Sequence, residues 1–246
     1  MKQLSSKSLL VRPIKAKLAH AFVRKHHYSH SSCQNSQLHL GVFWNGLMRG
    51  CLQYGPSMYK PHLIKLVRGT KWDECLELNR MVMTDEMPRN SESRAIAVSL
   101  RMLKKKAPHV KWVMSYADGC QCGDGTIYRA TGFVLTGIIK NSKLRADPVT
   151  GKPMHDITAW MSGRLREFRG TWKVLDGYQL RYIYFLDPSW RSRLTVPEIP
   201  YSRIKEMGAS MYKGRRCVRS DTSDTPATHA GEGGAEPTLT LQTAGG

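Results

Sequence analysis

The stretch CLELNRMVMTDEMPRNSESRAIAVSLRMLKKKAPHVKWVMSYAD, Cys75 to Asp118, decides the fold. Cys75 to Met83 is strand-like, rich in large apolar residues. Asp85 to Asn90 contains Pro88 and reads as a loop. Asn90 suits the cap of a helix over 91–106. Ile96, Leu100 and Leu103 line one face of it, and Lys104, Lys105 and Lys106 favour the negative end of the helix dipole. Pro108 stops the helix, and Val110 to Ala117 follows as a largely buried strand. A strand, a helix and a strand in that order give a parallel crossover, hence an α/β domain.

Working outward, Leu9 to Arg12 reads as a strand, and Pro13 suits the first turn of a helix with Ile14, Leu18 and Phe22 on one face. That helix delivers the chain to His26-His27-Tyr28-Ser29-His30. Leu38 to Trp44 and Leu47 to Tyr54 are joined by Asn45-Gly46, the signature of a type I′ hairpin. Beyond Asp118, Gly119 to Gly125 is a glycine-rich loop, 126–131 a short helix and Phe133 to Ile139 a strand. Lys140 to Pro153 reads as a surface excursion. Asp156 then caps a helix with Ile157, Trp160, Met161, Leu165 and Phe168 as its apolar stripe, ended by Gly170, and Leu180 to Leu186 is a final strand. The whole predicts a mixed, partly parallel sheet covered on both faces, in one domain over 1–217 with a basic extension from about 141. Residues 218–246, rich in Gly, Ser, Thr and Ala, read as a disordered acidic tail.

Charge narrows the partner. The 246 residues carry 38 Lys and Arg against 19 Asp and Glu, a net of +19. Residues 1–218 hold 37 of those bases and 15 of those acids. A folded domain with that excess repels itself unless it meets a polyanion, so nucleic acid is the expected partner. No run of 18 apolar residues exists and Arg12, Lys15 and Lys17 interrupt the N-terminal apolar residues, which argues against a membrane span or a secretory signal. The six cysteines are then expected reduced, in a cytoplasmic setting; the one close pair, Cys120-Gln121-Cys122, is too tight for a zinc knuckle.

Candidate residues stand out within this plan. His26, His27 and His30 admit a metal site, a general base at His27, or simple surface polarity. Tyr28 is either half-buried structure or a platform for a base. Arg80 sits among apolar residues, so it must be paired, as with Glu77, or face a cleft that takes phosphate or a donor. Asp118, beside Gly119 at a strand end, is either a turn former or a ligand-binding carboxylate. Asp124 is a turn residue or a cap. Arg164, Arg166, Arg169, Trp172 and Lys173 mix bases with aromatics, a pattern suited to phosphate contact.

The element order, with Leu76-Glu77-Leu78-Asn79-Arg80-Met81-Val82 and Tyr128-Arg129-Ala130-Thr131-Gly132-Phe133, resembles the GNAT acyltransferase fold. Further segments resemble the Mom family of phage DNA-modification proteins. They are His26-His27-Tyr28-Ser29, Gln37 to Trp44, Glu77 to Val82, Pro88 to Ser93, and Tyr116-Ala117-Asp118-Gly119 through Gly123 to Tyr128. The resemblance spans about residues 10–190. It implies conversion of DNA adenine to N6-carbamoylmethyladenine, which shields phage DNA from host restriction. It carries catalytic roles to His27, Arg80, Asp118 and Tyr128, with Tyr128 protonating a leaving group. It carries a substrate-binding role to Tyr28, with double-stranded DNA as substrate; Ser115, Arg164, Arg166 and Arg169 are expected to bind substrate as well. Two features depart from the pattern: the acidic tail, and Ser29 to Cys33, where a glycine and a more basic run are expected.

The donor is open at this point. The turn Asp85 to Glu92 has no glycine and three carboxylates, which disfavours the pyrophosphate of acetyl-CoA. An activated glycine, such as glycyl-tRNA, is the expected donor, with iron-dependent chemistry on an acetyl group as the rival. Two other functions fit the same residues: an acyltransferase acting on RNA or protein amines, and a nonenzymatic nucleic-acid-binding protein.

Overall fold

A computed structural model of the chain describes residues 8–216, apart from 58, 122, 168, 169, 213 and 214. The tail expected over 218–246 lies outside the described residues.

Strand β1 (Leu10–Pro13) leads into helix α1 (Ala16–His26), and β2 (Leu38–Trp44) turns back into β3 (Leu47–Gly55). Asn45 and Gly46 both have positive φ, 49° and 75°, so the I′ hairpin forms as its sequence requires. A short helix α2 (Lys60–Leu63) precedes β4 (Cys75–Met83); α3 (Ser91–Lys106) crosses over to β5 (Trp112–Asp118). Helix α4 (Thr126–Arg129) leads to β6 (Val134–Lys140). Then come β7 (Leu144–Ala146), β8 (Pro153–His155), α5 (Asp156–Met161), α6 (Arg164–Glu167), β9 (Lys173–Val174), β10 (Tyr178–Phe185) and α7 (Ser202–Glu206).

Seven strands form one sheet in the order β1-β2-β3-β4-β5-β10-β6. Its one parallel pair is β4 with β5, as the crossover helix demands. Helix α3 packs Ala95, Ile96, Leu100 and Leu103 against one face, meeting Leu40, Leu52, Leu78 and Val113. Helix α1 covers the other face with Ala19 and Val23, against Cys51 and Val82. Burying each Leu, Ile or Val among them contributes about 1.5–3 kcal/mol before entropy is counted. The mixed α/β sheet covered on both faces is therefore the observed architecture.

Several local expectations are corrected. α1 starts at Ala16 rather than at Pro13; Ala19 and Val23 are its buried residues, with Ile14 and Phe22 packed against them, while Leu18 is half exposed. Asn90 does not cap α3 through its side chain; it adopts the left-handed region at φ 67° and turns the backbone into the helix. The excursion over 140–153 is structured: β7, β8 and β9 form a small three-stranded sheet in the order β8-β7-β9. The long helix expected after Asp156 is broken into α5 and α6 by Gly163, at φ 76°. Of its expected apolar stripe, Trp160 and Met161 face outward. Asp156 pairs with Arg145.

Candidate active site at the strand splay

The parallel pair stops early. Cys75, Leu76 and Glu77 pair with Trp112, Val113 and Met114, and beyond them β4 and β5 diverge. Where the next ladder bond would fall, a side chain takes its place. Ser115 Oγ lies 3.1 Å from the Leu78 carbonyl and 2.9 Å from the Tyr128 hydroxyl. A serine has one proton, so it can serve either partner. When it donates to Leu78, Tyr128 can donate to it; when it donates to Tyr128, the tyrosine proton can move elsewhere. Tyr128 is buried, its ring centroid 5.3 Å from those of Phe133 and Tyr182. Its helix is let in by Gly125, at φ 84°, where a Cβ would stand 2.5 Å from the Tyr182 ring.

Side chains alternate along a strand, so Ser115 and Asp118 leave β5 on opposite faces. Ala117 packs on the α3 side with the large core, and Tyr116 on the other side. On that second side the Tyr28 hydroxyl donates to Asp118 Oδ2 at 3.1 Å, bridging 90 residues of sequence. Asp118 Oδ1 accepts from the Cys120 amide at 2.9 Å, which fixes the carboxylate. Tyr28 is 47% exposed and stacks on His27 at 4.2 Å between centroids. Arg80 holds the same loop by donating to the Ser31 carbonyl at 3.0 Å, and to its neighbour Asn79 at 2.7 Å.

His27 does not fit the general-base role. Its Nδ1 accepts from the Ser29 amide at 3.1 Å, which leaves the proton of the neutral ring on Nε2. Burial, then the charges of Arg80 and His30, push its pKa down to about 4. The ring is a neutral donor and a stacking surface for Tyr28. A stability prediction follows. The unfolded imidazole binds a proton from its ordinary value of 6.5 downward, the folded one only near 4. Between these values the unfolded state takes up more protons, so stability present above pH 6.5 is lost as pH falls to about 4, by roughly 3 kcal/mol. His27→Gln should flatten that part of the urea-midpoint profile against pH; an unchanged profile would place the proton elsewhere.

The three histidines do not converge. His26 stacks on Phe22, and His30 Nδ1 contacts the Arg24 carbonyl at 3.1 Å. Among the described residues no three His, Cys, Asp or Glu side chains could hold a metal ion.

Glu77, read from sequence only as a possible partner for Arg80, belongs to the site in its own right. Burial raises its carboxyl pKa, while hydrogen bonds from Ser57 and Asn79 and the charge of Arg80 oppose this. Tyr116, also raised by burial, is hydrogen-bonded to Arg181 on the next strand. The signal in the sequence was a charged residue, Glu77, inside an apolar strand three positions before another, Arg80.

The arginines expected at phosphate separate. Arg164 forms an ion pair with the buried Asp147 at 2.8 Å, so it braces the small sheet. Arg166 is exposed, and Arg169 lies outside the described residues. Asp124 accepts from the Thr126 hydroxyl at 3.0 Å and opens α4.

Residues 8–203 match the model of the Mom protein family. The chain belongs to that family. It is 37% identical, over 199 residues, to the methylcarbamoylase mom of Escherichia phage Mu, covering 78% of this chain and 81% of that protein. Among solved structures it is similar to a spermidine/spermine N-acetyltransferase from Vibrio cholerae, with TM-score 0.45 and 9% identity over 74% of this chain and 94% of that one. It is also similar to the ribosomal-protein-S18-alanine N-acetyltransferase from Escherichia coli, with TM-score 0.43 and 10% identity over 73% and 94%. No helix among the described residues of this Mom-family chain is long and apolar enough to cross a membrane.

Proposed function

We propose that this Mom-family protein modifies the exocyclic amine of adenine in phage DNA, giving N6-carbamoylmethyladenine and so protecting the DNA from restriction. The observation that carries the reading is the Tyr28–Asp118 pair. An aromatic ring and a carboxylate acceptor meet at the open end of the splay, and an extruded adenine needs one for its face and the other for its N6–H. Membership of the Mom family, and likeness to a relative named methylcarbamoylase, support the chemistry.

The donor reading is an activated glycine such as glycyl-tRNA. In support, the turn before α3 does not suit the pyrophosphate of acetyl-CoA. The Ser91 amide is spent on the Pro88 carbonyl at 3.2 Å, and Glu92 sits in the first turn. Adenine N6 attacks the glycyl ester carbonyl and loses a proton towards Asp118; the ester C–O bond breaks, and the tRNA hydroxyl leaves with a proton from Tyr128. The freed glycyl amine then attacks C6 through a five-membered spiro intermediate. When the original C6–N6 bond breaks, the glycyl nitrogen stays on the ring and the former N6 becomes the terminal amide. Asp118 and Ser115, the partner of Tyr128, leave β5 on opposite faces of the sheet.

The test is mass spectrometry of nucleosides from bacteria expressing the chain. A new deoxyadenosine species supports the reading. Unchanged DNA with altered RNA would favour an RNA acyltransferase, and no product at all would favour a nonenzymatic binder.

Duplex binding should weaken with salt, since each neutralised phosphate releases counterion. Arg166→Ala should flatten the log–log salt slope by about 1. An unchanged slope would move the DNA surface off α6.

A further inference from the structure

The small sheet β8-β7-β9 with α5 and α6 is inserted between Lys140 and Tyr178, which pair with each other. The next residue of β10, Gln179, pairs with Asp118. The insertion therefore rises from the sheet end that carries the site. It is tied down there: the Asn141 side chain donates to the carbonyls of Leu144 and Leu175 at 2.8 and 2.7 Å and accepts from two backbone amides. Arg164 with Asp147, and Arg145 with Asp156, brace it further. Helix α5 docks through the fully buried Ala159, and that orientation turns Trp160 and Met161 outward, 64% and 75% exposed. Large apolar side chains on a braced support, in an insertion that also exposes Lys143, Lys152, Arg166 and Lys173, call for a partner both polyanionic and apolar inside. Two of the insertion's acids, Asp147 and Asp156, are already taken by arginines.

We propose that Trp160 and Met161 form a wedge that enters the duplex and fills the stack vacated by the extruded adenine. Apolar side chains placed between base steps perform this role in DNA-deforming proteins generally. The inference rests on the adenine reading above and adds how the base is kept out.

The test uses the full chain and the double variant Trp160→Ala, Met161→Ala. Both side chains are exposed, so thermal melting of the variant should match the parent. The probe is a duplex with 2-aminopurine in place of adenine, whose fluorescence rises on unstacking. The parent should raise it, and the variant should bind with the same salt slope yet lose most of the rise. In expressing cells the variant should modify DNA about tenfold less. An equal fluorescence rise in both proteins would overturn the wedge. So would lost binding to phosphatidylserine vesicles with the rise intact, which would make the patch a lipid contact. Equal, substantial DNA modification by both proteins would sink the wedge alone. A parent that modifies no DNA would instead sink the adenine reading, with the fluorescence arm still judging the wedge.

Discussion

Asp118→Asn should lower adenine modification by about 10²- to 10⁴-fold while leaving the fold intact. The amide is nearly isosteric with the carboxylate. Its oxygen can still accept from the Cys120 amide, and its nitrogen can donate to the Tyr28 hydroxyl, so the loop geometry survives. What disappears is the negative acceptor for the N6 proton. Stability should change by less than about 1 kcal/mol. Nucleoside mass spectrometry and a urea melt on the same preparation separate the two effects. Retained modification would remove Asp118 from the chemistry. Loss of both activity and stability would make it a structural turn residue.

Tyr128→Phe is expected to cost about a hundredfold or more in modification, because it deletes the proton offered to the leaving group. The ring still packs on Phe133 and Tyr182, and Ser115 keeps its bond to the Leu78 carbonyl. The structural penalty should stay near that of one hydrogen bond, about 0.5–1.5 kcal/mol. Ser115→Ala should fall between this variant and the parent, since the serine only passes a hydrogen bond along. A Tyr128→Phe enzyme as active as the parent would place the acid elsewhere.

What could be read from the sequence was local. β4, with its nine residues, and α3, bounded by Ser91 and Lys106, occupy the expected positions, because their signals are contiguous. Asn45-Gly46 specifies its hairpin within two residues. The insertion of β10 between β5 and β6 has no local signature; it depends on pairing across some forty to seventy residues. β7, β8 and β9 are two or three residues long, too short for any periodicity to show. The stripe of α5 shows the complementary failure. Trp160 and Met161 fit a buried face by spacing, yet face solvent, because α5 docks through Ala159.

The site divides the same way. Arg80 was legible in an apolar run, Asp118 at a strand end and Tyr28 among histidines, and family resemblance gave these and Tyr128 their roles. That Tyr28 reaches Asp118 follows only from the fold. The neutral state of His27 follows only from its burial and its bond from Ser29, neither of which its neighbours in sequence disclose.

The central claim is acyl transfer onto adenine N6 at the splay, and an isotope tests it most directly. A duplex carrying nitrogen-15 at its adenine amino groups is incubated with the protein and glycyl-tRNA of ordinary nitrogen, and the modified nucleoside is fragmented. The account predicts the label in the terminal amide. Label retained on the nitrogen attached to the ring would contradict it.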